Sequence, residues 1–261
     1  NICEEWKEQK IRMNTYEAIY RRKSVRRYRQ DRIPEEMLEE FQEYVKLIPG
    51  IIPGIQTELQ IEEIKGAKYN VMNTVPACRI KLYSEEKERY LINAGYLMEM
   101  LSLYMTTRGV GSCYQGKYTF RKEELNGRKL VLAMHAGFPQ DSHLRESYKF
   151  HRLDLKQLCV EKEPLRPWMR EILETARLAP SSLNSQPWRF LVSNGRIHIF
   201  CRKEKNESKR VLTELNLGIM LAHIMTAAEE MWLSADLIRL ENISQKEFKQ
   251  FDYVLSADFN R

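Results

Sequence analysis

The chain carries the same order of predicted elements twice, and this repetition restricts its possible folds more than any other feature. Each half is predicted to form a helix, two strands, a long helix and two further strands, with helix start signals about 130 residues apart. The two long helices also share a local pattern, Asn93-Ala94-Gly95 and Asn216-Leu217-Gly218. We therefore predict an α+β fold of two related halves that pack as a pseudo-dimer within one chain. A chance alternation of helices and strands is the alternative, because such alternation is common in α+β proteins.

Hydrophobic periodicity and the positions of Pro, Gly and capping residues set the predicted boundaries. In the first half, helices are predicted at residues 16–22, 34–48 and 86–108, with Thr15 as the first N-cap, and strands at 59–64, 77–83 and 129–135. In the second half, helices are predicted at 167–178 and 208–232, and strands at 188–193, 196–201, 235–240 and 253–257. Asn194-Gly195 between two of these strands is a strong hairpin signal.

Composition identifies a globular protein. The 261 residues include 42 Lys and Arg against 36 Asp and Glu, which gives a net charge of +6, and 43% of the residues are hydrophobic. These values exclude a disordered chain, a collagen-like chain and a disulfide-rich mini-protein. The length fits one large domain or two small ones.

The cysteines, the histidines and the apolar runs argue against a metal site and a membrane span. The five cysteines are scattered without a Cys-x-x-Cys pair, and no clustered set of His, Cys and carboxylate residues occurs, so no metal site is predicted. No run reaches the roughly 18 apolar residues of a membrane span, and residues 1–12 are charged rather than apolar like a secretory core. We therefore expect a protein of the reducing cytoplasm that has no membrane partner.

A basic segment, Arg22-Lys23-Ser24-Val25-Arg26, follows the first predicted helix. In an extended chain Arg22, Ser24 and Arg26 point to one side, and two guanidinium groups beside a hydroxyl suit a phosphate. Taken alone, the segment favours a solvated surface cluster over a binding site. A nucleic-acid patch is a further alternative, but it gives no account of the polar loop in the second half, so no nucleic-acid partner is expected.

That loop, Ala179 to Pro187, is held by two prolines and contains three serines, an asparagine and a glutamine without any charge. Dense neutral donors and acceptors in a rigid loop suit a polar heterocycle or a polyol better than a metal. The structural alternative is a turn whose side chains cap their own backbone. A third segment, Gly109 to Gly116, follows the first long helix, and its glycines permit close approach to a flat ligand or simply end the helix.

The three segments together resemble the FMN-dependent nitroreductase family, and the resemblance covers residues 16–259. Its most specific part is Ala-Pro-Ser-Ser-x-Asn-x-Gln-Pro-Trp-x-Phe, which begins at Ala179. Here the basic motif occurs only in the first half and the Pro-Ser-Ser loop only in the second. This arrangement looks like the fused single-chain branch of the family, of the TM1586 type. It implies a nitroreductase-like fold with halves at 14–160 and 161–261 that mimic the family homodimer, one flavin site built from both halves, and a chain that works as a monomer.

The resemblance also implies which residues bind the cofactor. Arg22 and Ser24 match positions on the phosphate side, Arg26 matches the cation at the pyrimidine end of the flavin, and the Gly116 segment matches the backbone that reaches flavin N5. Relatives supply further phosphate-binding cations after the last strand of the first half, where Lys149, His151 and Arg152 lie. The full set is Arg22, Lys23, Ser24, Arg26, Tyr114, Gln115, Gly116, Arg152, Pro180, Ser181, Ser182, Asn184 and Gln186.

The implied activity is an oxidoreductase in which NADH or NADPH reduces FMN and a nitroaromatic, quinone or similar small acceptor reoxidises it in a ping-pong cycle. The flavin carries the chemistry, so no catalytic side chain and no metal are expected, and Arg26 is expected to tune the flavin. Many relatives have an acidic residue where this chain has Gln115-Gly116. A flavin-binding protein without turnover, such as a sensor or a storage protein, is the alternative function.

Overall fold

The computed structural model describes residues 13–64, 75–142, 144–145 and 151–260. Contacts divide the chain into two compact units, one of Asn1–Tyr90 and Leu97–Tyr148 and the other of Leu91–Tyr96 and Lys149–Arg261. These units have other bounds than the predicted halves at 14–160 and 161–261. The halves concern an internal duplication and remain a prediction.

The first unit contains a mixed set of helices and an antiparallel sheet. Its elements are α1 (Thr15–Arg21), α2 (Glu35–Leu47), β1 (Thr57–Glu63), β2 (Cys78–Ser84), α3 (Tyr90–Thr107), β3 (Gly111–Tyr114), β4 (Glu124–Leu125) and β5 (Arg128–Gly137). The first turns of α3 are counted with the second unit. The sheet order is β1-β2-β5-β3, and β4 pairs with β5.

Helix α1 begins one residue earlier than predicted. Asn14, rather than Thr15, is the N-cap, because its side chain accepts the Glu17 amide while the Glu17 carboxylate accepts the Asn14 amide. This reciprocal pair is a capping box, which satisfies two backbone donors at once. The helix ends at Arg21, so Arg22 lies outside it in extended backbone.

The second unit has its own sheet. Its further elements are α4 (Leu155–Leu158), β6 (Cys159–Glu161), α5 (Pro167–Arg177), β7 (Trp188–Ser193), β8 (Arg196–Arg202), α6 (Glu207–Glu230), β9 (Ser234–Ile238) and β10 (Phe251–Asn260). The predicted hairpin is confirmed, because Asn194 and Gly195 both have positive φ angles, of 52° and 73°, as a type I′ turn requires. Pro167 opens α5 as predicted.

The two sheets have matching strand orders. The second sheet runs β6-β7-β8-β10-β9, so apart from the added β6 its order and antiparallel pairing repeat those of β1-β2-β5-β3. The added strand β6 pairs with β7 in parallel.

Two glycines let α3 and α6 cross closely within the second unit. A Cβ on Gly95 would lie 2.2 Å from the Leu215 carbonyl oxygen, and a Cβ on Gly218 would lie 2.0 Å from the Ile92 carbonyl oxygen. The contact is therefore reciprocal, and each pair of equivalent residues is 123 positions apart (218 − 95 and 215 − 92). Reciprocal contacts of this kind are the mark of a two-fold interface.

Helix α6 is long and largely apolar. By length and composition it could cross a membrane, but 78% of its apolar window is buried inside the fold, as in the core helix of a globular protein. His223 in this helix is fully buried and lies 2.9 Å, through Nδ1, from the Thr175 carbonyl oxygen of α5. Helix α6 therefore forms the centre of this unit's core.

Candidate functional site

Arg22 is the most informative predicted residue in the first unit. It follows α1, and only 6% of it is exposed. Its Nε lies 3.8 Å from Oε1 of the fully buried Glu99, which is too long for a hydrogen bond. Nε and Nη2 are buried and have no hydrogen-bond partner. A buried guanidinium with unpaired donors is costly, and an anionic ligand would satisfy it.

A second arginine lies near Arg22. The amide of Arg145 donates to the Arg21 carbonyl oxygen at 2.6 Å, and Arg22 pairs with Leu144 in an antiparallel bridge. Burial, and then the charge of Arg22, lowers the pKa of the Arg145 guanidinium. Arg22, Arg145 and the carboxylate of Glu99 therefore belong to one cluster of charged side chains.

Tyr114 completes the cluster. Its hydroxyl donates to Glu99 Oε2 at 2.6 Å. Burial, and then the Glu99 carboxylate, raises the pKa of the Tyr114 phenol well above its ordinary value, so the phenol stays protonated. Tyr114 is therefore a support for Glu99, and Glu99 in turn faces Arg22.

The rest of the basic motif is more open. Ser24 forms a parallel bridge with Ser112, and the Val25 amide donates to the Ser112 carbonyl oxygen at 2.9 Å. Gly111 makes this approach possible, because a Cβ there would lie 2.4 Å from the Val25 side chain. The motif is thus fixed to β3 as an added extended segment, with Lys23 and Ser24 half-buried and Arg26 exposed.

The segment assigned to flavin N5 leaves β3 at Tyr114 and continues as a short 3₁₀ turn, Gly116–Tyr118. The Gln115 amide donates to the Ala133 carbonyl oxygen at 2.9 Å, and the Gln115 side chain donates to the Cys113 carbonyl oxygen at 3.2 Å. A Cβ at Gly116 would find open space within 4 Å. The backbone at Gly116 is therefore the accessible part of this segment.

The polar loop of the second unit is backbone-strained. Leu183, Asn184 and Gln186 all have positive φ angles, of 52°, 55° and 44°. Non-glycine residues persist in this region only where the surroundings hold them, and such strain is concentrated at functional sites. The Leu183 side chain is fully exposed, so the loop presents an apolar group to solvent.

Arg152 holds this loop. Its guanidinium donates to the carbonyl oxygens of Ala179 and Leu178 at 3.2 and 3.3 Å and to Asn184 Oδ1 at 2.7 Å. Asn184 in turn donates to the His151 carbonyl oxygen at 2.8 Å. The family resemblance implies that Arg152 binds phosphate. In the structure its guanidinium instead donates hydrogen bonds to the polar loop.

Gln186 and the paired serines are also engaged within the unit. Gln186 is buried. Its side-chain Oε1 accepts a hydrogen bond from the Leu153 backbone amide at 2.7 Å, and its own backbone amide donates to Ser181 Oγ at 3.0 Å. Asn216 in α6 accepts from both the amide and the hydroxyl of Ser182, at 3.0 and 3.3 Å. Pro180 is buried at the start of the loop.

Three candidate residues were missed from the sequence: Arg145, Glu99 and Asn216. Arg145 lies in the polar segment after the first half's last strand, where the family's further cations were sought, but only Lys149, His151 and Arg152 were chosen. Glu99, an acid inside an apolar helical run, and Asn216, in the repeated Asn-x-Gly pattern, each had a visible signal. Lys149 lies outside the described residues. The parts of the chain that the structure describes contain no group of three or more potential metal ligands.

A family model described as "Putative TM nitroreductase" matches residues 14–228. The chain belongs to this nitroreductase family. A solved structure described as "a putative nitroreductase (tm1586)" from Thermotoga maritima is 20% identical, covers 94% of this chain and 92% of its own, and superposes with a TM-score of 0.66. This likeness supports a nitroreductase-like fold for the chain.

Two further solved structures cover about half of the chain. A nitroreductase with bound FMN from Desulfitobacterium hafniense is 14% identical over 50% of this chain and 92% of its own, with a TM-score of 0.40. A mutant of an FMN- and NADPH-dependent nitroreductase from a Sphingopyxis strain is 12% identical over 56% of this chain and 97% of its own, with a TM-score of 0.44. No curated protein matches the chain.

Proposed function

We propose that this nitroreductase-family chain is an FMN-dependent oxidoreductase that accepts hydride from NADH or NADPH and passes it to a nitroaromatic, a quinone or a similar small acceptor. The observation that carries the proposal is the buried Arg22 guanidinium, whose Nε and Nη2 have no partner. A phosphate monoester would supply the missing hydrogen-bond acceptors.

The first unit fits the phosphate end of FMN. Arg22 and Arg145 would supply positive charge, the Glu99 carboxylate lies 3.8 Å from Arg22 Nε, and the half-buried Ser24 adds a neutral donor. A terminal phosphate dianion matches two arginines better than the bridging pyrophosphate of FAD, whose two phosphates carry one charge each. FMN is therefore the proposed flavin, and Arg145 takes the place that the sequence assigned to Arg152.

The same unit fits the reactive edge of the flavin ring. Because the Gln115 amide is taken by the Ala133 carbonyl oxygen, Gly116 is the residue whose N–H is left to face N5. FMN, when bound, supplies the hydride chemistry. The exposed Arg26 would place a cation at the pyrimidine end, where negative charge develops as hydride arrives.

We assign the loop of the second unit to the flavin on the family resemblance, with its residues in two roles. Pro180, Ser181 and Ser182 lie on the backbone that would approach the ligand. Asn184, Gln186 and Arg152 are positioning residues, because their side chains are engaged in holding the loop. Their substitution is expected to act through the loop's shape.

We further propose that the chain arose by internal duplication. Three observations support this: the matching strand orders, the reciprocal glycine contacts of α3 and α6, and equivalent helix ends at Gly109 and Trp232, which are also 123 positions apart (232 − 109). Since the basic motif and the polar loop each occur once, one FMN per chain and an active monomer are expected. A cytoplasmic location is proposed from the scattered cysteines.

The proposal is tested by the absorbance spectrum of the purified protein and by anaerobic stopped-flow mixing with NADH or NADPH. A flavin spectrum that bleaches within seconds and recovers on adding a quinone supports an oxidoreductase with a ping-pong cycle. A flavin spectrum that does not bleach contradicts turnover and favours a sensor or a storage protein. Two FMN per chain would contradict the single-site assignment.

A further inference from the structure

A second cationic cluster lies in the first unit, around the ring of Tyr118. The Cζ atoms of Arg79 and Arg121 lie 4.6 and 4.1 Å from the ring centroid, and Lys117 Nζ lies 5.6 Å from it. Tyr118 itself is buried. Three cations therefore converge on one aromatic ring.

Two carboxylates lie near these cations, but both also pair with a further cation, Lys81. Glu123 interacts electrostatically with Arg121, and Lys81 Nζ lies 2.5 Å from Glu62 and 2.5 Å from Glu123. Arg79 Nη1 donates to Glu62 at 3.3 Å. Lys117 and Arg121 are exposed, and neither forms an ion pair within the part of the chain that the structure describes. The cluster thus carries an excess of positive charge that its own carboxylates do not neutralise.

Two buried nitrogens in the cluster lack partners. They are Arg79 Nε and His135 Nε2, and Arg79 lies opposite His135 in the pairing of β2 with β5. The His135 ring also packs edge-on against Tyr118, with centroids 6.3 Å apart. Burial, and then the charges of Arg79 and Lys117, lowers the pKa of His135 to about 4, so the imidazole is neutral at pH 7.

A cation–π contact with Tyr118 accounts for the position of any one of these cations, but it does not account for three cations around the same ring. A cation over a ring face is favourable, yet three cations around one ring repel one another. Unpaired buried nitrogens also need an explanation, such as an absent ion or ligand. An anion between the exposed Lys117 and Arg121 would offset the repulsion among the three cations.

We propose that this cluster, Arg79, Lys117, Tyr118, Arg121 and His135, binds a phosphate group of the nicotinamide nucleotide that reduces the flavin. The inference rests on the proposed function, because Lys117 directly follows Gly116, the residue assigned to flavin N5. A nucleotide whose nicotinamide lies over N5 would extend from that point, and Lys117 is the first cation along the chain. The phosphate is either the 2′-phosphate, which only NADPH carries, or the pyrophosphate, which both nucleotides carry.

The residues divide into two groups. Lys117 and Arg121 are exposed and would contact the phosphate oxygens directly, since cations on flexible stems can close on an anion. Arg79 and His135 lie behind them and would add positive potential. A bound dianion would also favour the protonated imidazole and raise the pKa of His135.

The test is calorimetric binding of adenosine 2′,5′-bisphosphate, and separately of ADP, to the purified full chain with whatever flavin it carries. Wild type is compared with a Lys117→Ala/Arg121→Ala double variant and with Lys122→Ala, a neighbouring exposed lysine outside the cluster. Loss of one charge-assisted contact lowers affinity by about 10-fold or more, so the double variant, which loses two, is expected to bind about 100-fold more weakly. Lys122→Ala is expected to bind like wild type, and the His135 pKa, followed by NMR, is expected to rise with ligand.

Steady-state KM values for NADPH and NADH then identify the phosphate. A rise in the double variant for NADPH alone supports the 2′-phosphate, and an equal rise for both nucleotides supports the pyrophosphate. Unchanged binding of both adenine nucleotides in the double variant, or equal losses in Lys122→Ala, would overturn the proposal. Binding that depends on Lys117 and Arg121 in a chain that holds no FMN would uphold this site while contradicting the proposed function.

Discussion

The two regions that the sequence assigned to the cofactor differ in how their polar groups are satisfied. In the first unit, Arg22 is buried with two unpaired nitrogens, and Arg79 and His135 each have one. In the polar loop region of the second unit, Arg152 and Gln186 are engaged by carbonyls and amides of their own unit. We propose that the first region receives an anion and that Arg152 and Gln186 hold the shape of the loop in the second.

From this difference we infer that a cation in a family motif can serve either as a ligand contact or as a support for a loop. Arg22 and Arg152 were both assigned to phosphate from the sequence, and only the environment separates them. An unpaired buried donor is available to a ligand, whereas a donor already bonded to backbone carbonyls supports the local fold.

The largest expected effect is that of Arg22→Met on FMN affinity. Methionine keeps an apolar stem in the buried site but removes the charge, so FMN binding should weaken by about 1.5–3 kcal/mol, the usual contribution of a charge-assisted hydrogen bond. The measurement is quenching of flavin fluorescence on titration with protein. Arg27→Ala is the matched control, because Arg27 is exposed and paired with Asp141 at 2.8 Å. Equal affinities in wild type and Arg22→Met would remove Arg22 from the site.

Arg152→Ala should act on stability instead. It removes the bonds to Ala179, Leu178 and Asn184, and we expect a loss of about 2 kcal/mol in the free energy of unfolding, measured by urea denaturation of the flavin-free protein. Arg152→Lys should not restore it, because an ammonium cannot reproduce the planar fork. If Arg152→Ala were as stable as wild type but no longer bound FMN, Arg152 would contact the cofactor directly rather than support the loop.

His135 and His198 offer the same comparison for imidazoles. Ser193 and Ser256 hydroxyls lie 3.0 and 2.7 Å from the two ring nitrogens of His198, whereas His135 Nε2 has no partner. Burial is the first cause of a lowered pKa in both, to about 4 for His135. Since the folded-state pKa lies below the ordinary value of 6.5, the unfolded chain binds more protons between about pH 4 and 6.5, and stability falls as pH falls through that window.

His135→Gln should therefore reduce the loss of stability between pH 7 and pH 5 by roughly 1 kcal/mol. The check is urea denaturation of wild type and variant at both pH values, with His198→Gln measured alongside. An identical pH dependence in wild type and His135→Gln would show that His135 is not held neutral in the fold.

The smallest expected effect tests the equivalence of the two units. Gly109 and Trp232 occupy equivalent positions after α3 and α6, with φ angles of 76° and 57°, and Trp232 is 91% exposed. A bulky residue is strained there, whereas glycine is not. Trp232→Gly should raise the free energy of unfolding by about 0.5 to 1 kcal/mol. Destabilisation would mean that the Trp232 ring makes a contact that the equivalence does not predict.

Much of the fold could be predicted because its signals are local. Asn194-Gly195 fixes a two-residue turn, Pro167 fits the first turn of a helix, and the periodicity of the long helices extends over many residues. The N-cap of α1 was misplaced by one residue, because Asn14 and Thr15 are both good caps and the choice depends on the side chain of Glu17.

The site was harder to predict because it depends on contacts between distant residues. The charges near Arg22 come from Glu99 and Arg145, 77 and 123 positions away along the chain (99 − 22 and 145 − 22). Likewise, the contacts of Arg152 with Ala179 and Asn184 form only after the loop has folded back. Sequence motifs identified candidate segments but could not tell which cations keep free donors.

The most direct test of the central claim is a comparison of FMN with riboflavin, which lacks the phosphate, by fluorescence titration of the flavin-free wild-type chain. If Arg22 and Arg145 receive a phosphate, FMN should saturate at one per chain and bind at least about 10-fold more tightly than riboflavin. Equal affinities for FMN and riboflavin would contradict the account, because the unpaired donors of Arg22 would then have no role in holding the cofactor.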